Sequence, residues 1–374
     1  MVSPVFNAAT SSSNEGFSEP AVQTKDLFFT GPISVPLQPQ SSGKNPFFRG
    51  IYSVFGLSSH IPKNLLPAST VSEELKNEFK QLKSAFMELE ADKVREFDLK
   101  LENNHKCSLV NGMALFVNPL EKLNFDEKHA QEQKWMIHFL RRESFYEKNL
   151  FQLQDIGRHL NINILVFNYR GVGESVGEFT KPEDLILDGE ACVNYLLSKG
   201  VVESNILIQG HQLGGAVGIR VAGLHENIGL IAINSFNSLS KAASAEIKFT
   251  GEFLAANGWD YDSVSAFEKI KAKKLIVYNK QDAIIPYREA SLYKGLKDKI
   301  KMENPGAVEK SLHKGKIKSR LKPEYKPLSV KLQKDFGGIK EEAHDYEFLY
   351  DEAFSKIREF VESFFEDNLS ADKG

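Results

Sequence analysis

The sequence predicts an α/β domain with a mostly parallel central sheet and helices on both faces. Apolar strand patterns alternate with helix patterns along the second half of the chain, and the strands are short continuous apolar runs, as strands buried on both faces require. The strands are expected at Ile162 to Phe167, Ile206 to Ile208, Ile228 to Ile233 and Leu275 to Tyr278, with helices near 182–198 and 214–224. Such an alternation is typical of a parallel sheet covered on both faces.

The α/β pattern begins near residue 94 and predicts a domain over residues 94–366. Phe97, Leu99 and Leu101 alternate with polar residues as in a strand, and Met113 to Val117 is a continuous apolar run. The sequence then predicts a helical stretch over Glu127 to Phe151. Residues 240–272 lie between two later strands and are short and mixed in composition.

Two segments precede this domain. Residues 1–65 are rich in Ser, Pro, Gln and Asn and lack periodicity, so they are predicted to form a mostly disordered N-terminal arm. Residues 66–93 are predicted to contain an amphipathic helix, because Leu75, Phe79, Leu82, Phe86 and Leu89 recur at spacings of four and three after the capping-box pattern from Thr70 to Glu73. This apolar stripe favours packing against the domain, with self-association as the alternative.

Charge is distributed unevenly along a chain of 374 residues whose formal net charge is only −3. Between Lys294 and Lys322 there are ten basic and three acidic residues, and we expect a basic, loop-like insertion over residues 294–340. The segment from Glu341 to Gly374 has eleven acidic and three basic residues, and residues 367–374 form an acidic tail.

The basic insertion leaves two hypotheses open. It is either a solvated surface loop or a patch for an anionic membrane surface through Lys294–Lys322. Nucleic acid is disfavoured as a partner, because aromatic residues that would stack on bases are nearly absent from this segment.

Composition places the chain among globular proteins, with 41% hydrophobic and 26% charged residues. No apolar run is long enough for a membrane span and no secretory signal pattern is present, so the cytoplasm is the expected compartment. Export by a dedicated secretion system without a cleaved signal peptide is the alternative. Cys107 and Cys192 stand alone in apolar contexts, so we expect no disulfide, metal site or cofactor.

One corner carries most of the functional information. Residues 209–215 read Gln-Gly-His-Gln-Leu-Gly-Gly directly after an apolar strand. Gly210 and Gly214 flank Gln212 at the spacing that a tight strand-turn-helix corner needs. A nucleophile at the tip of such a corner must lose a proton as it attacks a carbonyl, and the amide of Gln212 cannot do so.

The corner resembles the nucleophile elbow of the α/β-hydrolases with glutamine in the place of serine. Three further segments resemble this superfamily in the same order: Asn168 to Ser175 as the earlier strand-end turn, Val277 to Asp282 as the strand and turn of the acid, and His344 before the last apolar helix. The resemblance implies an α/β-hydrolase fold over residues 94–366, with a short cap at residues 240–272, where this superfamily carries its lid. Among relatives, the chain is most similar to short-cap serine hydrolases of intracellular bacterial pathogens, the chlamydial type especially.

The resemblance also implies roles for individual residues. Gln212 occupies the nucleophile position, Asp282 is the triad acid and His344 is the general base. For the oxyanion site it implies the amide of Leu213, and after the strand ending at Val117 it implies Leu120 and the side chain of Asn118. The structural alternatives are that Asp282 caps a turn and that His344 is a polar residue at a helix start.

One other histidine and two serines are candidates to replace the general base and the missing nucleophile. His313 is a second candidate base, ranked below His344 because it lies in the basic insertion. Ser235 and Ser175 are candidate displaced nucleophiles, and Ser235 is the better placed of the two.

Two functions therefore remain open at the level of sequence. The first is a catalytically deficient α/β-hydrolase-fold protein, a pseudohydrolase, that binds an acyl or carboxylate small molecule or a protein partner. The alternative is a serine hydrolase resembling esterases, lipases or thioesterases, whose nucleophile is displaced or replaced in this sequence.

Overall fold

The computed structural model describes residues 25–29, 65–103, 106–119, 127–246, 249–313, 316–332 and 352–371. The strands are β1 Lys25–Phe29, β2 Val94–Asn103, β3 Lys106–Leu115, β4 Trp135–Phe139, β5 Asn163–Phe167, β6 Ile206–His211, β7 Gly229–Ile233, β8 Lys274–Asn279, β9 Val308–His313, β10 Lys316–Leu321 and β11 Ser329–Leu332. The helices are α1 Glu73–Leu89, α2 Glu127–Glu132, α3 Tyr146–Leu160, α4 Pro182–Ser198, α5 Leu213–Ala222, α6 Leu239–Glu246, α7 Thr250–Ala256, α8 Ser263–Lys269, α9 Leu292–Glu303 and α10 Glu352–Ala371. None of the helices in these ranges combines the length and the hydropathy needed to span a bilayer.

The strands of the described ranges form a nine-stranded central sheet in the order β1-β2-β3-β5-β4-β6-β7-β8-β11, with β9 and β10 as a separate hairpin. Only β3 runs antiparallel to its neighbours, and all other pairs in the sheet are parallel. The predicted fold class, a mostly parallel sheet in an α/β domain, is confirmed. Because β4 to β8 are parallel, the segments that follow them meet at one edge of the sheet.

Helices cover both faces of this sheet. On one face, Phe139 of β4 lies so close to Gly189 of α4 that an added Cβ would be 2.4 Å from the ring. On the other face, an added Cβ on Gly229 of β7 would lie 2.6 Å from the ring of Phe364 in α10. The core strands β5 and β7 are buried along their whole length, as their apolar sequences require.

The first helix packs against the domain through aromatic residues. The rings of Phe79 and Phe145 are 4.6 Å apart, and Phe86 makes an edge contact with Phe151 at 4.9 Å. The cap is Ser72, whose hydroxyl accepts from the amide of Leu75 at 3.3 Å. In the N-terminal arm, the structure describes only β1, which pairs with β2 at the edge of the sheet.

A buried ion network adds to this contact. Lys83 of α1 donates to Glu96 of β2 at 3.0 Å and also pairs with Glu174 in the turn after β5. The hydrogen bonds and charges of the two carboxylates outweigh the effect of burial and raise the pKa of Lys83. The network joins the first helix to the sheet and to the strand-end turn at 168–175.

The helical prediction for Glu127 to Phe151 was wrong in its middle. This stretch contains α2, the strand β4 and the start of α3. The sequence of β4, Trp-Met-Ile-His-Phe, is only five residues long, and a short apolar run carries no period that separates a strand from a buried helix.

The loop-like prediction for the basic insertion was also wrong. Its described residues form α9, the β9–β10 hairpin and β11, and the loop-favouring residues Pro305, Gly306 and Pro323 lie in the short connections between these elements. The base of the hairpin is closed by the amide of Lys322, which donates to the carbonyl of Ala307 at 2.9 Å, and Lys301 of α9 donates to the carbonyl of Ser319 at 3.2 Å. The cap region 240–272 contains α6, α7 and α8.

Candidate active site

Gln212 lies at the corner between β6 and α5, and its backbone is strained. Its φ is 54° and its ψ is −111°, values that side-chain-bearing residues rarely adopt. The corner is possible because its flanks are glycines: an added Cβ would lie 2.3 Å from the carbonyl of Gly214 at Gly210, and 2.2 Å from the carbonyl of Phe139 at Gly214. The backbone therefore has the geometry that exposes a nucleophile in a hydrolase, with glutamine in its place.

The corner is held by hydrogen bonds to the neighbouring strand. The amide of Gln212 donates to the carbonyl of Ile233 at 3.0 Å, and its own carbonyl accepts from the hydroxyl of Ser235 at 3.1 Å. The Gln212 side chain is nearly buried. The strained conformation is thus fixed by partners from β7 and the loop after it, as strained sites require.

Leu213 is the first residue of α5, so its amide is among those that have no partner within the helix. The positive end of the helix dipole lies at the same point, which favours a carbonyl oxygen or a carboxylate beside Gln212. This placement is the one that the resemblance implies for Leu213, whose role as an oxyanion donor stays a prediction.

The structure does not bring Asn118 to this corner. The register of β3 with β5 pairs Leu115 with Ile164, so β3 ends at the edge where the parallel strands begin. The amide of Val117 accordingly donates to the side chain of Asn163, the first residue of β5, at 3.1 Å. Asn118 is exposed at that edge, a strand length away from Gln212, and Leu120 lies outside the described residues.

The loop that does reach the corner follows β4. The carbonyls of Phe139 and Leu140 lie against Gly214, so the amides of the next residues, beginning with Arg141, are the nearest candidates for the second oxyanion donor. Sequence reasoning missed this loop because β4 was assigned to a helix. The signal was present in the mostly apolar run Trp135–Leu140, which ends directly before Arg141 and Arg142.

Asp282 lies three residues beyond β8, at the same edge of the sheet as Gln212. It is buried, and its Oδ1 accepts from the amides of Ile284 at 2.9 Å and Ile285 at 2.8 Å. The strand end before it is fixed by Asn279, whose amide donates to the side chain of Asn234 at 3.0 Å. Asp282 therefore caps a turn, as the structural alternative supposed, and the same bonds hold its carboxylate in one orientation at the sheet edge.

His344 lies outside the described residues, so its role as the general base stays a prediction. The strand before it, β11, runs parallel to β8 and pairs Leu332 with Asn279. The carboxyl end of β11 thus reaches the edge that carries Gln212 and Asp282. The other candidate base, His313, ends β9 in the separate hairpin, away from the central sheet.

The two candidate serines have structural partners. The hydroxyl of Ser235 donates to the Gln212 carbonyl. The hydroxyl of Ser175 donates to the carbonyl of Asn168 at 2.8 Å and accepts from the amide of Asn111 at 2.9 Å. Both side chains are buried and hold backbone groups.

A histidine that the sequence did not single out lies one strand from the corner. His138 of β4 stands beside Gln209 of β6, with 3.3 Å between its Nδ1 and the Gln209 Nε2. Burial lowers the pKa of His138 to about 4, so the imidazole is neutral near pH 7. It adds a neutral polar group, not a positive charge, near the sheet edge.

The strand-end turn near the corner is fixed by a buried ion pair. The Nε of Arg170 donates to Asp188 at 2.8 Å, its amide donates to the other oxygen at 2.9 Å, and a guanidinium nitrogen lies 3.3 Å from Asp184. Burial raises the pKa of Asp188, an effect that the charge and hydrogen bonds of Arg170 oppose. Within the described ranges, no cluster of three or more His, Cys, Asp or Glu side chains is arranged to hold a metal ion.

Comparisons with known proteins place this geometry in a family. The chain is 26% identical over 142 residues to protein bem46 of Schizosaccharomyces pombe. The aligned region covers 37% of this chain and 47% of that protein. It is 26% identical over 133 residues to alpha/beta hydrolase domain-containing protein 17B of Homo sapiens, which covers 35% of this chain and 44% of that protein. The chain therefore spans about half the length of the curated relatives it matches.

Among solved structures, the chain is similar to the esterase Pf2001 of Pyrococcus furiosus at 14% identity, with a TM-score of 0.48 over 74% of this chain and 95% of that one. The family model described as Chlamydia CHLPS protein (DUF818) matches residues 62–338, which include Gln212 and Asp282. The chain therefore belongs to the Chlamydia CHLPS protein family, within the α/β-hydrolase superfamily.

Proposed function

We propose that this protein is a catalytically deficient α/β-hydrolase that binds an acyl or carboxylate small molecule at the elbow without cleaving it. The observation that carries the proposal is Gln212 at the strained tip between β6 and α5. A primary amide has no proton that a histidine can remove near neutral pH, so no covalent acyl intermediate forms there. The loss of the nucleophile of a serine triad costs on the order of a millionfold in turnover.

The described serines support a missing nucleophile over a displaced one. Ser235 and Ser175 both use their hydroxyls to hold backbone carbonyls, and Ser175 also accepts from a backbone amide. Either serine would have to abandon these bonds and approach both a base and an oxyanion donor. That combination of demands disfavours a substitute nucleophile at these two positions.

Binding is supported by what the corner retains. The start of α5 offers amide donors and the positive end of a helix dipole at Leu213. The Gln212 side chain adds a neutral donor and acceptor that can hydrogen-bond a carboxylate or a carbonyl without reacting with it.

A serine hydrolase whose nucleophile has been replaced is the second candidate, and one observation favours it. The backbone strain at Gln212 persists although glutamine has no catalytic use for it, and the Asp282 carboxylate is still held in a fixed orientation. On this hypothesis only the nucleophile separates the chain from an active enzyme.

One set of assays tests both proposals. Hydrolysis of p-nitrophenyl esters of several acyl lengths is measured for the wild type, Gln212→Ser, and Gln212→Ser combined with His344→Ala. We expect no turnover by the wild type above the uncatalysed rate and no labelling by a fluorophosphonate probe; labelling would disprove catalytic deficiency. Activity in Gln212→Ser that disappears with His344→Ala supports the replaced nucleophile, and an inactive but folded Gln212→Ser supports a site specialised for binding.

Binding is tested by calorimetric titration with octanoate and with octanol. Gln212→Glu keeps the size of the side chain and adds a negative charge at the tip. We expect octanoate affinity to fall about tenfold or more in this variant, because like charges meet in a partly desolvated site, while octanol affinity stays unchanged. An octanoate affinity that is unchanged in Gln212→Glu would show that the carboxylate binds elsewhere.

A further inference from the structure

Five lysines gather on one side of the molecule beside the turn that carries Asp282. Lys294, Lys297 and Lys301 follow one another at spacings of three and four along α9, so they share a helix face. Lys280 comes from the turn after β8 and Lys326 from the segment before β11. These five residues are called the basic face here, and their mutual proximity is visible at Lys297: partial burial lowers its pKa, and the charges of the other four lysines lower it further.

A stack of tyrosines supports the basic face from beneath. The ring of Tyr278 lies 4.1 Å from that of Tyr293 and 5.7 Å from that of Tyr287, in nearly parallel orientations. The ammonium of Lys280 stands 5.4 Å over the ring of Tyr287, and that of Lys297 stands 5.3 Å over Tyr293. These cation–π contacts hold the two lysine stems against the stack while their heads remain at the surface.

The positive charges of the basic face are mostly not neutralised by the protein. Within the described residues, Lys280, Lys297 and Lys326 have no carboxylate within ion-pair distance, and Lys294 pairs with Asp298 of its own helix. Lysines with like-charged neighbours and no acidic partner repel one another, an unfavourable arrangement that an external anion would relieve.

Exposed apolar side chains lie near two of these lysines in the sequence. Met302, next to Lys301, is 82% exposed, and Leu328, near Lys326, is 60% exposed. A basic surface with protruding apolar residues fits the headgroup region of a bilayer, where lysines meet phosphates and apolar side chains enter the interface. Single-stranded nucleic acid would need several free aromatic faces, whereas Tyr278 and Tyr293 are buried against each other and Tyr325 is only partly exposed.

We propose that the basic face is a docking surface for membranes that contain anionic lipids. Docking would place the turn of Asp282, two residues from Lys280, close to the bilayer. This inference concerns the surface alone and does not depend on whether the elbow binds or cleaves a ligand.

The test is flotation of the purified full chain with vesicles of phosphatidylcholine alone or of phosphatidylcholine mixed with phosphatidylserine. Each lysine near an anionic surface contributes about 1 kcal/mol, so we expect Lys280→Gln with Lys297→Gln and Lys301→Gln to lower the partition coefficient on the order of 100-fold. The matched control replaces the exposed Lys80, Lys199 and Lys241 by glutamine, which removes the same net charge from other faces. Circular dichroism verifies that both triple variants are folded.

Binding that requires phosphatidylserine, weakens with added salt and is lost only in the first triple variant would establish the proposal. The double variant Met302→Ser, Leu328→Ser of the wild type is expected to bind vesicles more weakly than the wild type, with the same dependence on salt. Absence of vesicle binding, an equal loss in the control variant, or binding to a single-stranded oligonucleotide in place of vesicles would each overturn it.

Discussion

The two ends of helix α5 differ in whether their residues are in favourable conformations and contacts. At the amino end, Gln212 has a strained backbone, and the glycines around it are packed against neighbouring carbonyls. At the carboxyl end, which lies at the other edge of the sheet, His225 is held between two carboxylates, with its Nδ1 2.8 Å from Glu203 and its Nε2 3.0 Å from Glu190. The backbone at the amino end is thus strained, whereas the charged side chains at the carboxyl end are paired with one another.

The carboxyl end is arranged for stability. Burial alone would lower the pKa of His225, but the hydrogen bonds and charges of Glu190 and Glu203 outweigh it and raise the pKa. A protonated histidine after the last turn of a helix also interacts favourably with the helix dipole. At Gln212 the hydrogen bonds with Ile233 and Ser235 hold the strained backbone in place without removing its unfavourable φ. Strain that persists in this way is common at functional sites, which makes the amino end the candidate site.

The largest expected effect is at the strained end. Gly214→Ala would place a Cβ 2.2 Å from the carbonyl of Phe139 and 2.5 Å from that of Leu140, both backbone atoms that cannot rotate away. We expect the free energy of unfolding to fall by about 3 kcal/mol or more, or the chain to fail to fold. Urea denaturation monitored by circular dichroism measures the change.

The matched control is Gly306→Ala, where an added Cβ would meet only the side-chain oxygen of Asn304 at 3.4 Å. Its effect is expected to stay within about 0.5 kcal/mol. Equal effects at the two glycines would contradict the close packing of the elbow.

A smaller effect of opposite sign is expected at the tip itself. Gln212→Gly removes the steric cause of the strain at a φ of 54°, and strain of this kind costs about 1 to 3 kcal/mol. Since glycine also makes the unfolded chain more flexible, we expect a net gain in the free energy of unfolding of about 1 kcal/mol. Gln212→Ala keeps the Cβ and is expected to give no gain, so stabilisation by alanine would show that the side chain, and not the backbone, is unfavourable.

The smallest expected effect is the pH dependence of stability that comes from His225, at the carboxyl end of α5. Because the pKa of His225 in the folded chain lies above its ordinary value of 6.5, its contribution to stability is complete below that value and is lost as the pH rises through the folded pKa. The free energy of unfolding of the wild type minus that of His225→Asn should therefore decrease as the pH is raised from mildly acidic to mildly basic.

His159→Asn serves as the comparison, since the Nδ1 of His159 lies 2.8 Å from the backbone carbonyl of Asp155. Thermal or urea unfolding over a pH series measures both variants. A difference for His225 that does not vary with pH would contradict the ion-pair interpretation.

Much of the fold followed from local pattern, and its failures have physical causes. The later strands and helices were placed correctly because buried parallel strands are continuous apolar runs separated by amphipathic helices. β4 was missed because a mostly apolar run of five residues fits a strand and a helix equally well. The basic insertion was expected to be a loop, whereas Pro305, Gly306 and Pro323 lie in the short connections between α9, the hairpin and β11.

For the site, the order of the motifs along the chain predicted Gln212 and Asp282 correctly as residues of one sheet edge, but it did not predict the position of Asn118. Gln212 and Asp282 were identified through the resemblance to the α/β-hydrolases, and each follows a parallel strand, whose ends meet at one edge of the sheet. Asn118 was assigned through the same resemblance, but it follows β3, which runs antiparallel to its neighbours in the described sheet, and the direction of a strand is decided by its pairing partners.

The sequence by itself determined the class of fold, the glycine-flanked corner and the absence of a nucleophilic side chain at its tip, since each depends on residue type at fixed local spacing. Only the tertiary structure decided that β4 delivers the loop beside the corner, that the hydroxyls of Ser235 and Ser175 are engaged, and that distant lysines and tyrosines form one basic face. Those features arise from contacts between segments far apart in the chain, which local pattern does not encode.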